Sequence, residues 1–278
     1  MTTALKQTAY GLMCFNPLDK WIGESLLHYG EYSQMETQRL VDLLPEGGVA
    51  VDVGANIGCI TLALASKAKE VWAFEPQRLT FQKLCANLAI NNFQNVVAKN
   101  VACGSVSENV GRLLQHDAVN NGAASMCVKE KGDEKPGEYV GVEALDKHIF
   151  EFNRLDLIKI DVEGYEDQVL CGARNIIEKF RPFLYVEADR DEKSPELIQL
   201  LQNMGYMPFW DITPLSIEYN FDHNRRDIFR GIVSINLLCV YKDKPWPASI
   251  PLGLLPEALP GDTFHIMKRR VNGIGAAA

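Results

Sequence analysis

The chain has 278 residues, of which 47% are hydrophobic and 23% are charged, a composition typical of a folded globular protein rather than a disordered one. A formal net charge of −8 argues against nucleic acid as a partner, because phosphate binding requires clustered Lys and Arg on one face. No apolar run approaches the roughly 18 residues of a membrane span, and the first residues lack the apolar core of a secretory signal, so the sequence predicts a cytoplasmic protein without a membrane partner.

The first predicted element is a helix over 33–44, with Ser33 and Glu36 at the spacing of a capping box. From residue 48 to about 205, apolar runs of strand length alternate with helical patterns, which is typical of parallel βαβ units. The predicted strands are 48–53, 70–75, 95–100, 156–161 and 182–188. The predicted helices are 58–68, 77–91, 165–180 and 195–204.

Two more strands are predicted at 206–210 and 234–242, and their pairing favours an antiparallel strand added at the edge of a parallel sheet. From residue 245 to 260, five prolines oppose any regular element. We therefore predict an N-terminal helical cover over 1–47, a doubly wound α/β domain over 48–244 and a proline-rich tail over 245–278.

The segment VDVGANIG ends one predicted strand and begins a predicted helix. Gly54 permits a tight turn there, and Gly58 permits close approach of the helix and a ligand to the strand. Folds of this class bind nucleotides at such a turn, beside the helix N-terminus. The dinucleotide fingerprint G-x-G-x-x-G is incomplete, because Asn56 and Cys59 stand where it requires glycine. The pattern indicates a nucleoside ligand without a pyrophosphate site.

Two acids accompany this turn. Glu75 ends the next predicted strand, 23 residues after Asp52, where an acid accepts hydrogen bonds from ribose hydroxyls. Asp52 adds a carboxylate near the ribose or the amino end of the ligand. A sulfonium-bearing adenosine, S-adenosylmethionine, fits these requirements best. The same turn and Glu75 also suit a nucleotide-dependent oxidoreductase of the Rossmann class, which is the alternative.

Five segments of the sequence resemble the FkbM-family methyltransferases: VDVGANIG, AFEPQ, NGAAS (121–125), ALD (144–146) and LIKIDVEGYEDQVLCGA. The resemblance runs from about residue 19 to 242, and IKIDVEG is its most specific piece. It implies a Rossmann-like class I methyltransferase fold, an α/β architecture with a seven-stranded, mostly parallel sheet, helices on both faces and one antiparallel edge strand. It also implies S-adenosylmethionine as the methyl donor.

The resemblance further implies which residues hold the donor and what is methylated. The segment YGEYS (29–33) would close over the methionine end of the donor. The acceptor would be a small molecule, sugar or polyketide-like compound, methylated on oxygen or sometimes on nitrogen; no oligomeric state follows. The donor-site residues implied by position are Asp52, Gly54, Asn56, Gly58, Glu75, Pro76, Asn100 and Val101.

The run IKIDVEG also points to chemistry on physical grounds, because an apolar strand ends in two acids at the mouth of the same crevice. Asp161 or Glu163 would accept the acceptor's proton, orient its hydroxyl group, or hold the donor's ammonium group. The structural alternative for Glu163 is an ion pair with a nearby Lys or Arg that caps the following helix. Lys159 is predicted to point away from the crevice. Glu187 and Asp189, after the next strand, are candidates for the same opening.

Alignment is expected to outweigh proton transfer in this chemistry. Methyl transfer is an in-line displacement at carbon, for which positioning supplies about 7–11 kcal/mol and a general base about 3–5 kcal/mol. The loop over 211–233 is predicted to form a wall of the acceptor pocket, and its His223 is a candidate base, since imidazole titrates near neutrality. A donor-binding but inactive module is a third reading of the chain.

No metal ligation is predicted from the spacing of His and Cys. The seven cysteines are scattered and form no C-x-x-C pair, which indicates reduced thiols. There is no H-x-x-x-H motif either. A magnesium ion held by aspartate needs few protein ligands, and that possibility stays open. The charged insert over 128–139 is predicted to be a surface loop.

Overall fold

The computed structural model describes residues 2–105, 111–115, 124–127, 137–251 and 253–268. Its strands are β1 (Ala4–Thr8), β2 (Gly11–Phe15), β3 (Val49–Val53), β4 (Glu70–Phe74), β5 (Val96–Lys99), β6 (Ala102–Cys103), β7 (Gly111–Gln115), β8 (Ala124–Cys127), β9 (Gly137–Val140), β10 (Val142–Glu143), β11 (Leu157–Ile160), β12 (Phe183–Glu187), β13 (Tyr206–Pro214) and β14 (Val233–Tyr241). Its helices are α1 (Ile22–Tyr29), α2 (Gln34–Leu43), α3 (Cys59–Ala65), α4 (Arg78–Ile90), α5 (Glu166–Cys171), α6 (Arg174–Phe180) and α7 (Ser194–Asn203), with a 3₁₀ helix over Leu145–His148.

The central sheet has seven strands in the order β13-β14-β12-β11-β3-β4-β5. The pairs from β12 to β5 are parallel, and β14 is antiparallel to both of its neighbours. This confirms the predicted fold class. The antiparallel strand lies one place in from the edge rather than at it, because β14 turns back along β13 and pairs with β12 through its other side.

The predicted strands and helices of the sheet domain are confirmed, with two differences. The strand predicted over 206–210 continues to Pro214, so the loop predicted over 211–233 is shorter and spans 215–232. The helix expected over 165–180 is two helices, α5 and α6, and α5 ends at Gly172. A Cβ atom at Gly172 would lie 1.9 Å from the carbonyl oxygen of Gly104, so only glycine permits this close approach.

The central strands are buried on both faces, as parallel strands covered by helices must be. Val49, Val51 and Val53 of β3 pack in one core cluster, whereas Ala50 packs in another on the opposite face. Asp52 shares the second face, where its carboxylate accepts a hydrogen bond from Thr61 of α3. The sheet therefore carries a buried acid just before the turn that follows β3.

The N-terminal segment contains the expected helix, α2, together with a second helix, α1, and a hairpin that were not predicted. β1 and β2 pair antiparallel before α1 and α2. The hairpin is fastened to α4 by the side chains of Asn87 and Asn91, which accept hydrogen bonds from the backbone of β2. On the other side of the domain, Arg39 of α2 forms a bidentate pair with the buried Asp211 of β13. The boundaries at residues 47 and 244 stay predictions.

The tail runs along the outer edge of β13 as far as it is described. The amide of Trp210 donates to the carbonyl of Pro256, and the amide of Ala258 donates to that of Pro208. Residues 121–123 of the NGAAS motif and 128–136 of the charged insert lie outside the described residues. Within the ranges that are described, no helix is long and apolar enough to cross a bilayer.

Candidate functional site

A cavity of about 320 Å³ opens at the carboxyl edge of the central sheet. Such a volume suits a small organic ligand. The cavity is bounded by the chain just beyond β3, β4, β5 and β11, by the start of β14, and by side chains of the N-terminal segment. These lining residues are 53–56, 74–77, 101–103, 161–163 and 232–235, with Asp19, Trp21, Ile22 and Tyr32 opposite.

The glycine turn after β3 forms one wall of the cavity. Gly54 has a φ of +78°, and a Cβ atom there would lie 1.8 Å from the carbonyl oxygen of Asp161, so the turn requires glycine. The amides of Gly54 and Ala55 both donate to the carbonyl oxygen of Phe74. Gly58 does not line the cavity; it begins α3 in a left-handed conformation with a φ of +98°.

Glu75 stands beside this turn, at the end of β4. Its side chain is buried, and its two oxygens accept hydrogen bonds from the backbone amides of Asn56 (2.9 Å) and Gln77 (2.8 Å). Burial raises the pKa of Glu75 to about 7, against the opposing effect of these amides. Each oxygen keeps a further lone pair, so the carboxylate is fixed in place and able to accept bonds from a diol.

Pro76, Asn100 and Val101 complete this side of the site in different ways. Pro76 and Val101 line the cavity. Asn100 does not; its exposed side chain donates to the backbone carbonyls of Glu75 and Pro76, at 2.9 Å each. Asn100 therefore holds the end of β4 instead of contacting the cavity.

Beneath the turn lies a buried ion pair. Asp52 is fully buried and does not line the cavity, and its Oδ1 is 3.3 Å from the ammonium nitrogen of Lys159. Lys159 does line the cavity, so the prediction that it points away is wrong. The physical reason is register: Lys159 stands opposite Asp52 in the β11–β3 pair, and side chains at paired positions share a face.

The acids after β11 face the same opening, as predicted. Asp161 lines the cavity, and its Oδ2 is 3.4 Å from the ammonium nitrogen of Lys159. Glu163 also lines it and accepts a hydrogen bond of 2.8 Å from Arg190, so the predicted ion pair exists as well. Glu166, rather than Glu163, bonds the backbone at the start of α5. Its carboxylate accepts a hydrogen bond from the amide of Gly164.

The acidic wall continues with Glu187 and Asp189, which also line the cavity. Burial, with the neighbouring acids, raises the pKa of Glu163 to about 7 and also raises that of Glu187 well above its ordinary value. Carboxylate oxygens of Glu163, Glu187 and Asp189 lie within 4.8 Å of one another. Arg190 already supplies positive charge to this group, through its pairs with Glu163 and Asp189.

His223 is not brought to the cavity. It is exposed, in a left-handed turn with a φ of +58°, and it is absent from the described cavity lining. Its loop folds against the end of α1, where the side-chain amide of Asn224 donates to the carbonyl of His28. The loop contributes to the cavity through its ends, Leu215 and Ile232, so His223 stays a prediction that no contact supports.

The N-terminal cover meets the site through a buried cluster. Glu36 of α2 accepts hydrogen bonds from the hydroxyls of Ser33 (2.7 Å) and Ser234 (3.0 Å). The expected capping box is therefore wrong: Ser33 has a φ of +45° and bonds the Glu36 carboxylate instead of a backbone amide. Burial, with the charge of Asp161, raises the pKa of Glu36 to about 7. Tyr32, just before this cluster, lines the cavity.

A comparison with known protein families shows the family to which the chain belongs. The sequence model of the methyltransferase FkbM domain matches residues 52–208, more than half of the chain. The chain belongs to the FkbM methyltransferase family. It is thus an S-adenosylmethionine-dependent methyltransferase, which favours the methyl donor over the dinucleotide of the oxidoreductase alternative.

Individual relatives are also named as methyltransferases. The chain is 29% identical over 212 residues to the methyltransferase sdnD of Sordaria araneosa, covering 63% of this chain and 80% of that protein. It is 27% identical over 187 residues to the hexuronic acid methyltransferase AglP of Haloferax volcanii, covering 67% and 74%. Among solved structures, the methyltransferase FkbM from Methylobacillus flagellatus KT aligns with a TM-score of 0.45 and 19% identity, over 73% of this chain and 50% of that one.

Proposed function

We propose that this methyltransferase methylates a hydroxyl oxygen of a small, carbohydrate-like acceptor in the cavity at the carboxyl edge of the sheet. The observation that carries the proposal is the pair of acids, Asp161 and Glu163, lining the same cavity as the glycine turn and Glu75. Carboxylates accept hydrogen bonds from hydroxyl groups, so one cavity offers a nucleoside site and a hydroxyl site side by side.

The donor side fits S-adenosylmethionine on two structural features. Gly54 has no Cβ atom, which in the turn would lie too close to the carbonyl oxygen of Asp161. Glu75 is buried, and its oxygens accept hydrogen bonds from backbone amides. We assign Glu75 to the ribose hydroxyls, Pro76 and Val101 to the adenine side, and Gly54, Asn56 and Asp161 to the methionine side. Asp52, Gly58 and Asn100 support these groups from outside the cavity. The bound donor would supply an electrophilic methyl group on its sulfonium.

Methyl transfer requires that the acceptor oxygen is held in line with the methyl group of the donor and that it loses its proton. Asp161 is the better candidate to take that proton at a carboxylate oxygen, because Glu163 is already paired with Arg190 at 2.8 Å. Glu163 would then orient the acceptor. Holding the two reactants supplies about 7–11 kcal/mol, more than the about 3–5 kcal/mol from a general base. Loss of Asp161 should therefore slow the reaction without abolishing it.

The charge of the cavity supports a neutral polyhydroxylated acceptor. Its described lining carries the carboxyl groups of six residues and the ammonium group of Lys159 as the single lysine or arginine charge. An anionic acceptor would be repelled by this wall, whereas hydroxyl groups would donate to it. One relative is named for a hexuronic acid, so a uronic acid is an informative comparison for this chain.

The test is a methylation assay with isotopically labelled donor and a panel of neutral sugars, amino sugars, uronic acids and phenols, read by mass spectrometry. We expect label on oxygen, with neutral sugars favoured over uronic acids. Asp161→Asn should lower kcat by about 10²- to 10⁴-fold. The matched control is Asp243→Asn, the same change at an exposed position after β14, which should leave kcat unchanged.

The outcomes separate the alternatives. Label on nitrogen would replace O-methylation with N-methylation. Tight donor binding without labelled product from the panel or from cell extracts would favour the inactive module. An unchanged kcat in Asp161→Asn would remove that residue as the base.

A further inference from the structure

Lys159 is a buried cation that the proposed reaction does not use. Its side chain is only 3% exposed, although lysine is almost never buried without partners. Its ammonium nitrogen lies 2.9 Å from the carbonyl oxygen of Gly54, 3.3 Å from Asp52 and 3.4 Å from Asp161. The Gly54 contact is a hydrogen bond donated by the ammonium group, and the contacts with Asp52 and Asp161 are ion pairs.

The three contacts join different parts of the site. Gly54 belongs to the turn after β3, Asp52 precedes that turn, and Asp161 follows β11. The side chains on either side of Lys159 in β11, Ile158 and Ile160, pack in the core on the other face of the sheet. A buried charge thus occupies a strand position that could carry an apolar residue. Burying a charge costs free energy unless its partners are well arranged.

We propose that Lys159 is a positioning residue that locks the glycine turn and the Asp161 carboxylate in one arrangement, so that the donor and the acceptor hydroxyl are held in line. This rests on the proposed function for the role of Asp161. Lys159 acts through the Gly54 carbonyl on the donor side and through Asp161 on the acceptor side.

The same charge also favours the ionised form of the neighbouring acids. The titratable groups that face the ammonium are Asp52 from β3, Asp161 after β11, Glu36 from α2 and, less directly, Glu75 after β4. Burial raises the pKa of Glu36 and of Glu75 to about 7, and the positive charge of Lys159 opposes that rise. Removing the charge should therefore keep Glu75 protonated to higher pH and shift donor binding with it.

A purely structural role is the competing explanation, since Lys159→Met leaves the buried carboxylate of Asp52 unpaired and will destabilise the fold. The double variant Lys159→Met with Asp52→Asn removes both charges and should recover much of that stability. Lys159→Arg keeps the charge but cannot reproduce the compact ammonium contacts. Lys69→Met, at an exposed position before β4, is the matched control.

The experiment measures S-adenosylhomocysteine binding from pH 6 to 9, the free energy of unfolding, and kcat where an acceptor is known. We expect Lys159→Met to bind about 10-fold more weakly and to move the pH midpoint of binding upward, with Lys159→Arg keeping the midpoint and losing kcat. The double variant should regain stability but keep the weakened binding, because the Gly54 carbonyl still lacks its N–H donor.

Two results would overturn the proposal. One is a stable double variant with wild-type binding and wild-type kcat, which would make Lys159 a partner of Asp52 and nothing more. The other is binding of S-adenosylhomocysteine by Lys159→Met that is as tight as that of the wild type. Binding of S-adenosylhomocysteine is measured without an acceptor. The binding results can therefore contradict this proposal while the proposed O-methylation holds, and the reverse.

Discussion

Glu75→Gln is the sharpest test of the donor site, because it changes charge without changing size. The carboxylate is only 6% exposed and is held by the amides of Asn56 and Gln77. A hydrogen bond to a charged group contributes about 1.5–3 kcal/mol, so losing the charged acceptor for the ribose should weaken binding roughly 10- to 150-fold. The amide would also turn an N–H group toward one of the two backbone donors, which adds to the loss.

The assay is calorimetric titration with S-adenosylhomocysteine at pH 6 and pH 8. Burial raises the pKa of Glu75 to about 7, so its carboxylate is mostly protonated at the lower pH and ionised at the higher. Wild-type binding should therefore tighten as the pH rises. The Gln variant carries no charge at this position, and its binding should depend less on pH.

The matched control is Glu70→Gln, the same substitution at the other end of β4, where Glu70 bonds the indole of Trp72. It should leave donor affinity unchanged. Unfolding curves of both variants without ligand separate binding from folding. An unchanged dissociation constant in Glu75→Gln, or a pH dependence equal to that of the wild type, would refute the ribose assignment.

Three further changes test the surroundings of the site. Gly54→Ala should abolish donor binding and cost more than about 2 kcal/mol of stability, because its Cβ would lie 1.8 Å from the Asp161 carbonyl oxygen. Glu36→Gln should raise the free energy of unfolding at pH 8 by up to about 3 kcal/mol. The pKa of Glu36 is about 7 in the folded protein and 4.5 ordinarily, so the wild type is most stable below pH 4.5 and loses this stability as the pH rises through 7. Arg39→Leu should cost about 3–5 kcal/mol, because Asp211 stays buried without its cation.

Each of these has its own control, measured by chemical denaturation. Gly231 has the same φ of +78° but nothing within 4 Å of an added Cβ, so Gly231→Ala should cost only the roughly 1–2 kcal/mol of backbone strain. Equal losses at both glycines would contradict the steric argument. A Glu36→Gln curve parallel to the wild type between pH 5 and 8 would contradict the titration. Asp211→Asn should restore part of the stability of Arg39→Leu, and no recovery would contradict the ion-pair explanation.

The sequence predicts that Gly54 and Glu75 lie side by side because its signals there are local. Gly54 and Glu75 each end a strand, and parallel strands place their ends at one edge of the sheet. The spacing between the turn and the acid is therefore enough to bring them together. The structure adds the reason the pair works: the amide of Asn56, inside the turn, donates directly to the Glu75 carboxylate at 2.9 Å.

Lys159 and His223 show where sequence reasoning fails. A charged residue in an apolar strand is usually assigned to the solvent side, but β11 has no solvent side, and only the register with β3 places Lys159 opposite Asp52. His223 is a candidate base only by its chemistry, whereas its position depends on a loop that folds against α1. Likewise, Ser33 and Glu36 are close in sequence, but their third partner, Ser234, is 198 residues from Glu36.

The order of the strands explains why one turn controls both halves of the site. Because β3 lies between β4 and β11, the turn after β3 touches Glu75 on one side and, through Lys159, Asp161 on the other. Movement of this turn would displace Glu75 and Asp161 together. Among the described residues, the far wall is formed by Leu215, Ile232 and the N-terminal cover, and none of these three contacts involves a residue of that wall. We therefore expect changes of acceptor to be made on the far wall, with the donor half of the cavity unaltered.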